Sequence, residues 1–388
     1  MEISACVKYV GVNDHQVDLF EGQYKVPNGM SYNSYVILDD KIAIMDTVDG
    51  FFTEEWLNNV EQVLDGKMPD YLVIQHMEPD HSASIPAFLK KYPKVTVVST
   101  AKGFQFMEQF FPEFFAEQGL PAEQRIVAAN DGVLELGQHS LHFVYAPMVH
   151  WPEVMMTYEA TEKILFAADG FGKFGALDVE EEWTDEARRY YIGIVGKYGP
   201  QVQAVLKKAA GLDIQTICSL HGPVLKENLG FYLEKYDKWS SYQPEESGVV
   251  IAYASVYGNT RNAAEYLADV LHEKGQKTVL YDLSRCDKAK AVADAFRYDR
   301  LVLAGITYNG DLFPCMRSFI EGLTERNYQN RKVAIIENGT WAPMAGKLIL
   351  GMFEKSKNLT FTETTVSIKS AMNEQNKGEI GKLAEELC

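Results

Sequence analysis

The sequence predicts an α/β chain of two domains, the second built on a doubly wound parallel sheet. Two observations carry that prediction. Up to about residue 240 the strands are short, pair into hairpins or end in polar, metal-competent side chains. From Val249 onward, fully apolar strands alternate regularly with helices. Between the two patterns, Tyr242-Gln243-Pro244-Glu245-Glu246-Ser247-Gly248 is polar, with Pro and Gly, and reads as a linker. The domains are therefore placed at 1–243 and 244–388, each long enough for its own core.

Composition narrows the function. Apolar residues make up 46% and charged residues 23%, as in ordinary globular proteins, and no apolar run is long enough for a membrane helix. Met1-Glu2-Ile3-Ser4-Ala5 has neither a basic start nor an apolar run, so no signal peptide and a cytoplasmic location are expected. A net charge of −17 argues against nucleic acid and favours small or neutral substrates. The five cysteines (Cys6, Cys218, Cys286, Cys315, Cys388) are scattered and odd in number, which fits a reducing compartment. None forms a C-x-x-C pair, so no thiolate-ligated iron or zinc module is expected, and Cys218 reads as a buried apolar thiol. His15, His139, His142 and His272 lack a metal-competent context and read as surface or packing residues.

In the first domain, residues 35–38 and 41–46 read as strands joined at Asp39-Asp40. Residues 53–64 have helical spacing, with Trp56, Leu57, Val60, Val63 and Leu64 on one face. Tyr71-Leu72-Val73-Ile74 is a buried strand, and Ile85 begins a helix that Ser82 or Ser84 could cap. Between them, Gln75-His76-Met77-Glu78-Pro79-Asp80-His81 packs four metal-competent side chains into six positions. In an extended loop His76, Glu78 and Asp80 project to one side; on a helix Glu78 would point away, and Pro79 resists helix. Residues 95–99 form a further strand, 103–111 a helix, and 133–136 with 141–145 a second hairpin. Three more strand ends carry candidate ligands: His150 after that hairpin, Asp169 after residues 163–168, and His221 after residues 216–220. Taken singly, each is more often a hydrogen-bonded structural residue; four strand ends together make a site on loops over a rigid scaffold.

This order of motifs resembles the metallo-β-lactamase fold, an αββα sandwich whose metals sit at one sheet edge. The usual H-x-H-x-D-H motif stands here as H-x-E-x-D-H, with Glu78 in place of a histidine. The carboxylate makes the site harder and more anionic, suiting iron or manganese better than zinc, and a central carboxylate such as Asp169 could bridge two ions.

In the second domain, the strand Val249–Ala254 runs into Ser255-Val256-Tyr257-Gly258-Asn259-Thr260 and then a helix over 261–274. A small, hydroxyl-rich loop at a helix N-terminus is a phosphate cradle, with Ser255 and Thr260 as donors and Gly258 allowing close approach. No P-loop lysine and no G-x-G-x-x-G is present, which points away from ATP and NAD. Two later strands end in Thr307-Tyr308-Asn309-Gly310 and in Asn338-Gly339-Thr340-Trp341, where Tyr308 and Trp341 could sandwich a planar ring. Residues 248–388 thus resemble flavodoxin, which implies FMN as ligand.

Over its whole length the chain resembles the flavodiiron proteins, or A-type flavoproteins. The resemblance implies one iron held by His76, Glu78 and His150, the other by Asp80 and His221, with Asp169 bridging. It places His81 one shell behind the ligands and Tyr198 near the pocket. Ile306 departs from the proline that relatives often have before Thr-Tyr-Asn. The implied activity is reduction of O2 to water, of NO to N2O, or both. Electrons would come from an external donor, a rubredoxin-like protein or the deazaflavin F420. Head-to-tail homodimers, alone or as dimers of dimers, would set one subunit's flavin against the other's irons. The rivals are a β-lactamase-fold zinc hydrolase with an electron-transfer flavodoxin domain, and a flavodoxin-like carrier or sensor with a non-catalytic metal domain.

Overall fold

The computed structural model describes residues 3–388. The first sheet takes its six strands in sequence order: Val7–Tyr9 (β1), Tyr35–Ile37 (β2), Ala43–Met45 (β3), Tyr71–Val73 (β4), Thr96–Ser99 (β5) and Arg125–Val127 (β6). β1, β2 and β3 pair antiparallel, and β3 through β6 are parallel. The second sheet is equally ordered: Val133–Glu135 (β7), Ser140–Tyr145 (β8), Met155–Glu159 (β9), Ile164–Phe166 (β10) and Thr216–Cys218 (β11), antiparallel except for β10 with β11.

The two sheets share one core, in which Val7, Ile37, Met45 and Val73 meet Leu141, Phe143, Ile164 and Phe166. The Tyr35 ring stands edge-on to Phe166, centroids 5.4 Å apart. The helix Thr53–Leu64 buries Trp56, Val60 and Leu64, spaced by four so that they form one stripe. It ends at Asp65 in the left-handed region, φ 46°.

The second unit is a parallel sheet of Glu246–Tyr253 (β12), Thr278–Asp282 (β13), Tyr298–Tyr308 (β14), Arg331–Asn338 (β15) and Leu359–Ile368 (β16), in the order β13-β12-β14-β15-β16. The connection from β13 passes over β12 to reach β14, so a crevice opens at the carboxyl ends of β12 and β14, where open sheets bind ligands. Contacts divide the chain into Met1–Tyr191 with Pro200–Tyr236, and Ile192–Gly199 with Asp237–Cys388. The boundary expected at 243/244 lies just past the helix Leu229–Ser240, whose residues from Asp237 pack with the second unit.

Candidate metal centre and cofactor cavity

β4, β8, β10 and β11 each run into a loop that carries ligand-type side chains at one edge of the sandwich. Those side chains form two adjoining groups: His76, Glu78, His150 and Asp169 in one, and Asp80, His81 and His221 in the other. In the first, Glu78 Oε2 lies 3.3 Å from His76 Nε2 and 3.0 Å from His150 Nε2, and the two imidazole nitrogens are 3.3 Å apart. In the second, Asp80 Oδ2 lies 3.4 Å from His81 Nε2 and 3.3 Å from His221 Nε2, and those nitrogens are 3.0 Å apart.

Asp169 stands between the groups. Its Oδ2 is 3.0 Å from His150 Nε2 and 3.3 Å from His76 Nε2; its Oδ1 is 3.3 Å from His81 Nε2 and 3.8 Å from His221 Nε2. The residue is 1% exposed, yet neither oxygen accepts a hydrogen bond, and both oxygens of Asp80 are equally bare. Four buried carboxylate oxygens without hydrogens amid convergent imidazoles fit a pair of hard cations.

The local backbone differs from the expected extended loop. Pro79–Ser82 is one turn of α-helix with Pro79 at its first position, where a missing N–H costs nothing. Glu78 therefore still leaves the strand with His76, but Asp80 and His81 are swung round into the second group. His81 is consequently among the facing nitrogens rather than one shell behind them. Neither expected serine cap forms: Ser82 Oγ donates to the Met77 carbonyl, and Ser84 Oγ pairs with Thr53 Oγ1 at 2.7 Å.

Outer groups fix the ligands. Glu153 Oε1 is 2.7 Å from His76 Nδ1 and also accepts the Met77 N–H at 3.0 Å, and the Ser31 carbonyl is 2.7 Å from His221 Nδ1. These contacts keep each ring proton on Nδ1 and turn Nε2 inward. Asp46 accepts from the Gln75 backbone and side chain at 2.7 and 2.8 Å; burial nevertheless pushes its carboxyl up to about 6. For Glu78, burial raises the carboxyl, but hydrogen bonds to His150 and His76 outweigh it and the net shift is downward. Burial lowers the His150 imidazole, while Asp169 and Glu78 pull it back up to about 9. Rings wall the pocket, with Phe20, Tyr32 and Tyr190 at 5.4, 6.0 and 5.5 Å from the His221 centroid and Trp151 at 5.3 Å from that of His76.

Tyr198 lies in the second unit, on the turn Gly196–Tyr198, with Lys197 Nζ over its ring. Two other tyrosines, Tyr190 and Tyr32, have their rings against His221 in the ligand cluster, and burial and Asp169 hold the Tyr190 hydroxyl well above the usual phenol range. Glu153 and Tyr190 escaped the sequence reading. Glu153 stands three residues after His150, a spacing that could have drawn attention; nothing local distinguishes Tyr190.

In the second unit three loops line a cavity of about 720 Å³. Ser255, Val256, Tyr257, Asn259 and Thr260 line one side. Thr307, Tyr308, Asn309 and Gly310 line the second, and Asn338, Gly339, Thr340 and Trp341 the third. Gly258 is not in the lining. With φ +91° it caps the helix Asn259–Glu273, and its N–H donates to Ser255 Oγ at 3.1 Å. That helix has no acid in its first turn, leaving its N-terminus free for an anion. Thr307 Oγ1 accepts the backbone N–H groups of Met344 and Ala345, at 2.8 and 3.1 Å, tying two of the loops together. Ala342, Met344, Ser370 and Ile306 also line the cavity. The first three lie outside the sequence-derived set; Ile306 stood there only as a departure from relatives.

Residues 30–222 match the family described as ODP family beta lactamase, and residues 250–358 match a flavodoxin domain family. The chain is 28% identical over 349 residues to an anaerobic nitric oxide reductase flavorubredoxin of Vibrio vulnificus, covering 86% of this chain and 69% of that one. The crystal structure of the flavodiiron protein from Giardia intestinalis superposes with a TM-score of 0.87 at 25% identity, covering 100% of this chain and 96% of that one. A rubredoxin oxygen:oxidoreductase from Desulfovibrio gigas shares the fold, with a TM-score of 0.92 at 24% identity and coverage of 100% and 97%. Both halves are matched in the same order and over nearly the whole chain by proteins of one kind, and the chain belongs to the flavodiiron family.

Proposed function

We propose that this oxidoreductase, with its FMN and non-haem diiron site, reduces O2 to water, NO to N2O, or both. The observation that carries the reading is Asp169, buried, without hydrogen bonds, and offering one oxygen to each of two ligand groups. In this reading His76, Glu78 and His150 would hold one iron, Asp80, His81 and His221 the other, and Asp169 would be shared between them. Two ferrous ions and a reduced flavin together supply the four electrons that O2 reduction to two waters requires. The chain's part is to hold the ligands without reorganisation, to exclude bulk water with the surrounding rings, and to keep a proton on Tyr190 Oη beside the cluster.

The flavin phosphate would lie on Ser255–Thr260 at the helix N-terminus, with the ring between the two later loops. Tyr257 and Trp341 at the cavity are 93% and 81% exposed, and Phe51, just before the helix Thr53–Leu64, is 97% exposed. Aromatic groups left so bare favour a second copy of the chain covering both faces, head to tail, so that one subunit's flavin serves the other's irons. An external one- or two-electron donor, a small rubredoxin-like protein or F420, would reload the flavin.

The test is anaerobic reduction followed by stopped-flow mixing with O2 and, separately, NO. Flavin reoxidation within catalytic time by at least one gas, lost in Asp169→Ala with FMN still bound, is the expected result. Reoxidation equally fast in the variant would refute the reading. The gas that reoxidises faster names the physiological substrate.

A further inference from the structure

A third group of metal-type side chains lies in the first unit, away from the centre described above: Cys6, His139 and Glu162, whose ligand atoms are all within 4.8 Å of one another. Each precedes a strand: Cys6 β1, His139 β8 and Glu162 β10. β8 and β10 run toward His150 and Asp169. β1 runs with β3 and β4, hence toward His76, because two antiparallel pairings separate it from β3. The group therefore sits at the sandwich edge opposite the irons and draws one residue from the first sheet and two from the second.

The surroundings are organised around these three residues. Glu159 is fully buried; its Oε1 is 3.0 Å from His139 Nδ1 and accepts the Thr161 N–H at 2.8 Å, while its Oε2 accepts the Glu162 N–H at 2.7 Å. One costly buried carboxylate thus orients the imidazole and pins the turn that presents Glu162. It leaves Nε2 as the coordinating nitrogen, and among the described residues Nε2 has no hydrogen-bond partner. Ser4 Oγ hydrogen-bonds the Glu162 carboxylate and accepts the N–H groups of Cys6 and Val7 at 3.2 and 2.9 Å, joining the remaining two ligand segments. A histidine held by a carboxylate from behind is the usual support of a zinc ligand.

We propose that Cys6, His139 and Glu162 form a second, mononuclear metal site for a thiophilic divalent cation of the zinc type, clamping the two sheets at the edge away from the irons. One thiolate, one imidazole and one carboxylate give a softer set than the oxygen-rich diiron cluster and select a different metal. Tetrahedral bonds of about 2.0–2.3 Å need donors roughly 3.5 Å apart, so the group has to close by no more than about an ångström on binding. Coordination replaces the Cys6 S–H bond with an S–metal bond and releases that proton to solvent. The fourth position is left to water. This departs from the expectation, drawn from the lack of C-x-x-C, that the chain has no thiolate-bound metal.

The test is titration of the purified holoprotein, with its FMN and iron in place, with Co(II). No cysteine lies among the iron ligands, so a thiolate-to-cobalt charge-transfer band reports a thiol site apart from them, and its loss in Cys6→Ala separates this site from Cys218, Cys286, Cys315 and Cys388. One equivalent of Co(II) should give the band, zinc should bleach it, and Cys6→Ala should abolish it with FMN and iron content unchanged. Should Cys6→Ala fail to fold, Glu162→Gln keeps the test open, because weakening the Co(II) affinity about tenfold or more is then expected. Absence of the band in the natural protein, its survival in folded Cys6→Ala, or unaltered affinity in Glu162→Gln would overturn the proposal.

Discussion

Replacing Asp169 with asparagine keeps the side chain's size and removes one charge and one lone-pair oxygen. Around it, four imidazole nitrogens lie 3.0–3.8 Å from the carboxylate, two per oxygen, in a place almost sealed from water. A unit charge about 4 Å from a cation is worth roughly 4 kcal/mol at an effective dielectric of about 20. Losing it therefore weakens each metal by about a thousandfold. The amide nitrogen turned toward one group also leaves that group without its shared ligand. Dialysis of Asp169→Asn against a mild chelator, followed by iron and flavin analysis, should show iron falling from two per FMN to one or fewer, with FMN and thermal unfolding of the flavin domain unchanged. Two irons retained at natural affinity would refute the bridging role and with it the pairing of the two groups.

Other consequences can be measured on the same preparations. Glu153→Gln removes the charge behind His76 Nδ1 and should weaken iron binding about 10- to 100-fold without touching FMN; unchanged chelator resistance would contradict the orienting role. A protonated imidazole cannot ligate, and the neighbouring carboxylates hold His150 up at about 9. Iron affinity should therefore rise with pH through the range in which His150 gives up its proton, by about tenfold per unit for each proton expelled; a flat profile measured against a competing chelator would rule this out. Thr260→Val and Ser255→Ala should each weaken FMN binding by about ten- to a hundredfold in a fluorescence titration of the flavin-free protein while leaving iron content intact, because each removes a hydroxyl donor to a charged phosphate.

The strands that position the iron site were legible because their sequences are dominated by β-branched and apolar residues and because turn chemistry marks their ends. Tyr71–Val73, Ile164–Phe166 and Thr216–Cys218 are of this kind, and the ligands that follow them fall at one edge for that reason. The helix Thr53–Leu64 coincides with its predicted span because four-residue spacing of large apolar groups has no other economical arrangement. Pro79 resists helix in the interior of one, whereas at the first helical position that veto does not apply, and the place of the His81 ring beside Asp80 and His221 follows from that turn. Tyr190 and Glu153 act through contacts with residues remote in sequence, His221 and His76, so no window of sequence contains their meaning. His139 is a buried, hydrogen-bonded packing residue, as its sequence context suggested, but its partner Glu159 lies across a strand pair and becomes visible as a partner only when the hairpins fold.

The single helical turn at Pro79–Ser82 also limits what can be done to the site by insertion or deletion. His76 and Glu78 lie before it and Asp80 and His81 within it, so one unbroken stretch of chain serves both clusters. A residue added between Asp80 and His81, inside the turn, would rotate the ligand after it by about 100° and shift it by about 1.5 Å, displacing it from the second cluster. The loop therefore tolerates exchange of side chains far better than any change of length. The hairpin turn at Asp39-Asp40, by contrast, can be lengthened at an entropic cost of only about 0.6 kcal/mol per doubling. Engineering that seeks to alter one metal without the other has to work through ligand identity on this segment and reserve insertions for turns that carry none.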